Sequence, residues 1–573
     1  MRLSFPAWVR RASSAALPLA LARSLVLALA LALALALALA VGGCAPAPAP
    51  RPPVPPKPPV AVVVEAEPQD LRDIPQDVSA LLAQSAATTD PDAPLLTPQA
   101  QAAFLERFRA AHFAPWGQAN ATFGPASALW GLDKLPADRH YGENLRPLGQ
   151  GFRMEMEALC QAWAYPSLAR PAIATANTAL RVLPTIRPGF LKPTRPGEGY
   201  PFDYWQNSGV WAGTPLMVTH ISADGAWALV EARNAGGWVR VADIAFVDQA
   251  FMARFAALPL LAVTREHTPV SSLALGQGVV RDIRESLGRD IGLNVGLDMS
   301  QVPGQNSGQI PGQSNDQSND QSNDQSIGQQ VDAGKTFLFD GRIGMVLPLV
   351  SEDSTGYTAL APARGAGGLA EAVAVRIPKA AAAAMPLSAT PRNLARLADQ
   401  MLGQPYGWGG YLDNRDCSAL MLDLVAPLGI FLPRNSSQQA KSGEYVSFEG
   451  LSGPQKEALL LARGVPLLTL LYKRGHIMLY LGPIGQGRHQ GRAAMLHAIW
   501  GLKTLGEAGA EGGAGAGAEA EGRNVIGRTA ITTLEPGREL PDVVRAGTLL
   551  ENMAGMTLLA PGGNPPATPD RTR

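Results

Sequence analysis

Three side chains in the last third of the chain can together perform nucleophilic chemistry: Cys417, His476 and His497. Cys417 stands in Asp416-Cys417-Ser418-Ala419-Leu420, after Gln404-Pro405-Tyr406-Gly407-Trp408-Gly409-Gly410. Leu420, Met421, Leu424, Val425 and Leu428 then recur at helical spacing, which places Cys417 at a helix N-terminus. Unpaired backbone N–H groups and the positive end of the helix favour a thiolate there. In Gly475-His476-Ile477-Met478-Leu479-Tyr480-Leu481-Gly482, strand alternation sends Ile477, Leu479 and Leu481 to one face and His476, Met478 and Tyr480 to the other. A further strand, Ala494 to Trp500, puts His497 on the face opposite Leu496. A thiol becomes a ready nucleophile when an imidazole on a neighbouring strand acts as its base. The base needs an orienter on its other nitrogen, and a second histidine on the next strand can serve. Such a pair gives a bell-shaped rate profile and needs neither metal nor cofactor. Asp416 can pair with a substrate amine or cap the helix, and both readings stand.

The elements that must position these groups follow from length and composition. The chain has 573 residues, and 46% are hydrophobic, enough for several packed domains. Lys plus Arg (48) balances Asp plus Glu (48), which argues against nucleic acid as a partner. Gly (60) and Pro (49) together exceed the average share, so linkers and inserts are expected. Its 3 cysteines, Cys44, Cys160 and Cys417, cannot staple a protein this size and include no C-x-x-C pair to hold zinc. Cys160 sits in an apolar helical context and reads as a buried thiol.

Arg2, Arg10, Arg11 and Arg23 precede an apolar run, Leu25 to Val41, closed by Gly42-Gly43-Cys44. Basic flank, apolar stretch and small residues form an export signal, here over 1–43. Val41-Gly42-Gly43-Cys44 resembles a bacterial lipobox, which makes Cys44 the lipidated first residue of an exported lipoprotein. A multiply acylated cysteine is a firm membrane tether. Ala45 after the cysteine, by resemblance to Gram-negative lipoproteins, implies the periplasmic side of the outer membrane. Residues 44–66 are Pro-rich and read as a stiff spacer.

Residues 67–164 read as a helical segment, with Thr97 capping a helix that carries Phe104 and Phe108. His112 and His140 within it read as solvated or structural. Residues 165–258 switch to short strands: Pro215–Ile221, Trp227–Ala232, and Trp238–Val241 after a Gly236-Gly237 turn. Trp205, Trp211, Trp227 and Trp238 are expected in its core or groove. Residues 259–380 carry further strands, at 336–339, 344–349 and 371–377, around a polar insert, 300–331, read as disordered. Asp316, Asp320 and Asp324 in that insert lack the glycine and glutamate of a calcium loop. Residues 388–560 form the last domain, with a low-complexity insert at 506–522 and His489 in an exposed loop, before a frayed tail, 561–573.

The segments GQPYGWGG, DCSAL, LPRNSSQQ, GHIMLYLG and MLHA resemble the NlpC-type cysteine peptidases of the NlpC/p-sixty superfamily. The strand pattern of 165–258 resembles a bacterial SH3-like (SH3b) domain, and 259–380 a second one. The fold implied is α+β and multidomain: a helical N-terminal segment, two small SH3-like β-barrels and a C-terminal papain-like α+β cysteine peptidase domain. The resemblance implies hydrolysis of the γ-D-glutamyl–diamino acid bond in peptidoglycan stem peptides with a free L-Ala amine. It implies that the first barrel walls the site and reads that amine. It makes Cys417 the nucleophile, His476 the general base and acid, and His497 the orienter, with Tyr406 near the oxyanion and Asp416 and Ser418 at substrate. Leu432-Pro433-Arg434 shapes the groove wall. Where the family has Gly-Asp-Leu before the catalytic histidine, this chain has Gly464-Val465-Pro466-Leu467-Leu468, with no acid. Two other readings compete: a lipid-tethered wall-binding scaffold with an inert peptidase domain, and an acyltransferase or amidase built on the same Cys-His pair.

Overall fold

The computed structural model describes residues 66–85, 90–135, 139–193, 195, 197–273, 336–505, 521–544 and 548–559. The signal segment, Cys44, the Pro-rich stretch, the 300–331 insert with its three aspartates, and the 561–573 tail lie outside the described residues.

The N-terminal region is helical. Helix α1 (Val78–Gln84) is capped by Asp77. Helix α2 (Pro98–Phe113) begins behind Thr97, whose hydroxyl accepts from the Ala100 N–H, with proline at the first helical position. Helix α3 is Gly149–Cys160. This region is not a separate body. Ile74, Val78, Leu81 and Phe104 join the apolar core of the last domain. Asp70 accepts from both the N–H (2.6 Å) and the hydroxyl (2.7 Å) of Thr533.

A 7-stranded antiparallel sheet follows, in the order β3-β2-β6-β5-β4-β1-β7. Its strands are β1 (Arg170–Ala174), β2 (Thr178–Arg181), β3 (Gln206–Val210), β4 (Pro215–Ile221), β5 (Trp227–Ala232), β6 (Gly236–Arg240) and β7 (Ile244–Phe246). One sequence expectation is corrected here. Gly236 and Gly237 are not the turn but the start of β6, and the chain reverses over Arg233 to Ala235. The reason is close approach: a Cβ on Gly237 would lie 2.6 Å from the Arg181 carbonyl. The four tryptophans sit at seams between units. Trp205 packs on Leu135, Phe152 and Met156, while Trp227 and Trp238 pack on Ala128, Leu129 and Cys160. Trp211 leaves its own sheet to donate to Asp423 at 3.2 Å.

A second β unit holds a 5-stranded sheet, β13-β12-β11-β8-β14, and a 2-stranded pair, β10-β9. Its members are β8 (Leu260–Val263), β9 (Thr268–Ser271), β10 (Phe337–Gly341), β11 (Val346–Glu352), β12 (Gly356–Arg364), β13 (Ala370–Pro378) and β14 (Ala382–Ala384). Strand β12, rich in alanine and interrupted by Pro362, gave no periodic signal in the sequence.

The last domain is a 6-stranded antiparallel sheet, β15-β20-β16-β17-β18-β19, between two layers of helix. The strands are β15 (Glu444–Ser447), β16 (Thr469–Lys473), β17 (His476–Pro483), β18 (Ala493–Leu505), β19 (Glu521–Thr532) and β20 (Met553–Leu558). Ile477, Leu479 and Leu481 pack with Leu420, Met421 and Leu424 of helix α4 (Cys417–Val425). Met478 and Tyr480 pack on the other face with Leu460 of helix α5 (Gly453–Arg463). The alternation along β17 is thus filled on both sides, and each fully buried side chain contributes roughly 1.5–3 kcal/mol. Strands β18 and β19 extend past their neighbours as a two-stranded arm. Residues 521 and 522, read from sequence as insert, pair with Leu505 and Thr504 in that arm.

Candidate active site

Helix α4 starts where the sequence placed it. Asp416 is extended (φ −84°, ψ −179°), and its carboxylate accepts from the N–H groups of Ser418 (3.1 Å) and Ala419 (2.9 Å). The helix stops after Val425, where Pro427 and Gly429 (φ +79°) turn the chain. Cys417 is therefore the first helical residue. It is 7% exposed and lines a cleft of about 670 Å³. The cleft lies between the last domain, which supplies Tyr406 and Gln438, the first β unit, which supplies Tyr204 and Glu231, and the helical region, which supplies Trp130.

The first β unit reaches the cleft because the Trp408–Asp413 segment nests on β3. Gly409 (φ +62°) and Gly410 (φ +85°) have no room for a Cβ, which would lie 2.5 Å from the Gln206 carbonyl and 2.5 Å from the Gly209 nitrogen respectively. An aromatic cluster covers this seam. Phe202 contacts Tyr406 (6.1 Å), Trp408 (5.3 Å) and Trp500 (5.4 Å) between ring centroids.

The three predicted groups come together. The Cys417 sulfur takes a hydrogen bond from the backbone N–H of Ile477, the residue after His476. His476 Nε2 lies 2.9 Å from His497 Nδ1, and His497 Nε2 lies 3.0 Å from Thr532 Oγ1. The Thr532 hydroxyl donates to the Thr533 carbonyl at 2.7 Å. That bond fixes the direction of the chain. With its proton committed, Thr532 accepts from His497 Nε2–H. His497 Nδ1 then accepts from His476 Nε2–H, and His476 Nδ1 is left with a lone pair. This nitrogen has no other partner among the described residues. Thr532 and Trp500 were missed in the sequence. Thr532 belongs to a strand beyond an insert, and no spacing rule ties it to His497.

The electrostatics correct the expectation of a resting thiolate. Burial and the adjacent Asp416 carboxylate push the Cys417 thiol up to about 12, against the pull of the Ile477 N–H, Arg434 and the Ser418 N–H. The helix end favours an anion less than expected because Asp416 already caps it. Burial, and then the Lys473 ammonium, push His476 down to about 3, with Asp416 pulling the other way. His497 is 0% exposed, and burial followed by His476 holds it well below the usual histidine range. The resting pair is a neutral thiol and a neutral imidazole.

Asp416 and Ser418 form the floor beside the sulfur. The Arg434 guanidinium forks onto Asp416 at 3.1 and 2.7 Å. It also donates to Ser418 Oγ (2.7 Å) and, through Nε, to Ser208 Oγ of β3 (2.9 Å). Ser418 Oγ donates to Asp416 at 3.0 Å, and the Gly409 N–H donates to the same carboxylate at 3.1 Å. Burial opposes the Asp416 charge, yet Arg434 keeps its carboxyl below the usual range. With its oxygens filled by these donors, Asp416 acts as cap and anchor and has little capacity left for a substrate amine. Tyr406 lines the cleft near Cys417. His489 is not exposed as expected: its ring is half-buried, 3.8 Å from Asp73. His112 and Cys160 are buried, and the Cys160 thiol is pushed up to about 12 by burial alone.

Comparison with known proteins shows what the chain is similar to. A probable endopeptidase of Corynebacterium glutamicum (strain R) is 35% identical over 83 residues, which make up 14% of this chain and 39% of that protein. The chain thus spans about two fifths of the curated relative it matches. A solved NlpC/P60 endopeptidase from Photobacterium damselae subsp. piscicida superposes with a TM-score of 0.66, covering 85% of this chain and 97% of the other. At 22% identity that likeness is one of fold. Residues 32–165 match the N-terminal NLPC_P60 stabilising domain, a match that begins within the apolar run. Residues 188–240 match an SH3 domain of the SH3b1 type, and residues 403–505 match the NlpC/P60 family. The chain therefore carries an NlpC/P60 domain that holds Cys417, His476 and His497, preceded by that family's stabilising domain and by an SH3b1-type SH3 domain.

Proposed function

We propose that the chain is a cysteine endopeptidase that hydrolyses peptidoglycan stem peptides at the γ-D-glutamyl–diamino acid bond, in stems with a free L-Ala amine. The observation that carries this reading is the directed chain from Thr532 through His497 to His476, ending beside a thiol that opens on a cleft. In this mechanism the thiol proton passes to His476 Nδ1 as the sulfur attacks the scissile carbonyl. His497 accepts from the imidazolium's other N–H and stabilises the charge that forms. The Tyr406 phenol donates to the developing oxyanion. His476 then protonates the departing amine, leaving a thioester on Cys417. Water deprotonated by His476 releases the acyl product and restores the thiol. Because the resting pair is neutral, its charges exist only during the reaction. The half-buried Lys473 and the buried Arg434 cations then favour the thiolate.

The test is mass spectrometry of a defined stem-peptide digest. The expected result is a γ-D-Glu product and a free diamino acid amine, both lost in Cys417→Ala. Cleavage elsewhere, or normal turnover by that variant, would overturn the proposal. We also propose that the second β unit is an SH3-like barrel, as its short antiparallel strands favour. We further propose that Cys44 carries lipid at the periplasmic face of an outer membrane, as Val41-Gly42-Gly43-Cys44 behind the apolar run favours. Labelling with radioactive palmitate that persists in Cys44→Ala would remove the lipid proposal.

A further inference from the structure

The hairpin that presents His476 also presents a cation. Strands β16 and β17 are joined by Arg474 and Gly475 alone, so Lys473 and His476 face each other across the turn. Gly475 lines the cleft, which puts this turn at its edge. Lys473 is half-buried. Its ammonium stands near enough to Cys417 and His476 for its charge to act on both, and Arg523 of β19 stands near enough to act on Lys473. Arg523 in turn lies opposite Lys503 in the β18–β19 arm. Like charges placed together cost stability, and a partly desolvated cation without a counter-charge costs more.

Four buried guanidiniums among the described residues meet that cost with a carboxylate. Arg181 has Asp203, Arg342 has Glu266, Arg415 has Asp423 and Arg434 has Asp416. Lys473 and Arg523 form no ion pair with a carboxylate among the described residues. This corner thus holds two cations beside the base that must protonate a leaving amine.

The geometry points to Lys473 and Arg523 as the binding site for a carboxylate on the residue that leaves with the amine. This rests on the endopeptidase reading and adds a specificity determinant to it. His476 has to reach the leaving nitrogen, so the residue carrying that nitrogen lies on the hairpin side of the sulfur. In a diamino acid joined through its α-amine, the α-carboxyl carbon is two bonds from the scissile nitrogen. That places it beside the residue facing His476. The α-carboxylate of the γ-linked glutamate is four bonds from the scissile carbonyl and lies on the acyl side.

The test uses the full chain with Cys417→Ala, so that binding is read without turnover. Calorimetry is run with the tripeptide L-Ala-γ-D-Glu-diaminopimelic acid in three forms: both of these carboxylates free, the leaving residue's α-carboxyl amidated, and the glutamate α-carboxyl amidated. Each form is titrated with Lys473 intact, with Lys473→Met and with Lys473→Arg. The expected result is that Lys473→Met weakens the free form about tenfold, that amidating the leaving residue does the same, and that the two together lose little more. Lys473→Arg retains most of the affinity. The inference is overturned if Lys473→Met weakens all three forms equally, if the coupling follows the glutamate carboxyl, or if the free tripeptide does not bind. Wild-type digestion reports separately on the endopeptidase reading. Cleavage at a different bond with the coupling intact would sink that reading and leave Lys473 only as a binding site for the diamino acid's α-carboxylate.

Discussion

The two described cysteines share almost every local property and differ in the few that matter. Cys160 and Cys417 are both free and buried, and burial raises both thiols to about 12. Each even has a histidine from a neighbouring strand beside it. At Cys160, however, that histidine is His220, whose Nε2 is engaged with the Cys160 carbonyl at 2.9 Å and whose Nδ1 is engaged with Ser167 Oγ at 2.7 Å. Neither ring nitrogen is left for the sulfur. Cys160 closes its helix, where the dipole disfavours an anion. It is walled by Tyr165, Trp227 and Trp238. Cys417 opens its helix, lines the cleft, and takes the N–H of Ile477, the neighbour of a histidine with one nitrogen uncommitted. A raised thiol therefore says little about function. What separates a nucleophile from packing is an adjacent acceptor whose tautomer is fixed from behind, and a path for substrate.

The comparison is broken most directly by swapping the thiols out. Cys417→Ala should lower kcat on stem peptides by at least about 10⁴-fold, while Cys160→Ala changes kcat by less than about twofold and instead loses stability, by about 1–3 kcal/mol for a buried side chain. Paired turnover and thermal melts check both, and comparable kcat losses in the two variants would erase the distinction.

His476→Gln comes next, with a kcat loss of about 10²–10⁴-fold. The same residue sets the pH profile. His476 acts only when neutral, which means above its pKa, and burial with Lys473 pushes that to about 3. The acid limb of kcat/KM, which reports the free enzyme, therefore falls well below the ordinary histidine value near 6.5. Lys473→Met removes a positive charge that opposes the imidazolium. His476 then takes up its proton more readily and the limb moves to higher pH, with Asp416 pulling in the same direction. An acid limb centred near 6.5 in the wild type would show that the resting ring is not held neutral by its surroundings.

The parts of this site that were legible in sequence are those set by local rules. Helix spacing after Cys417, strand alternation around His476 and the cap at Thr97 each involve neighbours within a few residues. Cys417, His476 and His497 could be read because each is a rare residue type at an element whose periodicity is strong. What escaped depends on partners far apart in the chain. Asp70 bonds Thr533 and Ser208 bonds Arg434, and no local pattern announces either. Asp416 was left open between capping and substrate because the Arg434 fork that decides it arrives from another segment. Gly236 and Gly237 look like a turn to any local rule, while the close approach of β2 makes them strand. The thiolate expected at the helix end failed for a related reason: the cap that starts the helix is itself an anion.

Smaller effects test the line behind His476. His497→Ala removes the acceptor for His476 Nε2–H, leaves a cavity, and should cost about 10²-fold in kcat, whereas His497→Asn, which keeps an acceptor, recovers part of that loss. Thr532→Val is the finest probe. It has nearly the same shape and removes only the hydroxyl that receives from His497 Nε2 and donates to the Thr533 carbonyl. One hydrogen bond contributes about 1 kcal/mol, so the expected loss is about fivefold in kcat, with KM unchanged because Thr532 lies behind His497 and away from the cleft. The loss arises because His497 is then free to adopt the other tautomer, with its Nδ1 carrying the proton. That tautomer would force His476 Nε2 to accept and would place the His476 proton on Nδ1, where it blocks uptake from the thiol. ¹⁵N chemical shifts of the two rings report the tautomers directly. A variant with wild-type kcat and a mixed His497 tautomer would mean that the hydroxyl sets the direction of the relay but that turnover does not depend on it, so that Cys417 relies on His476 alone.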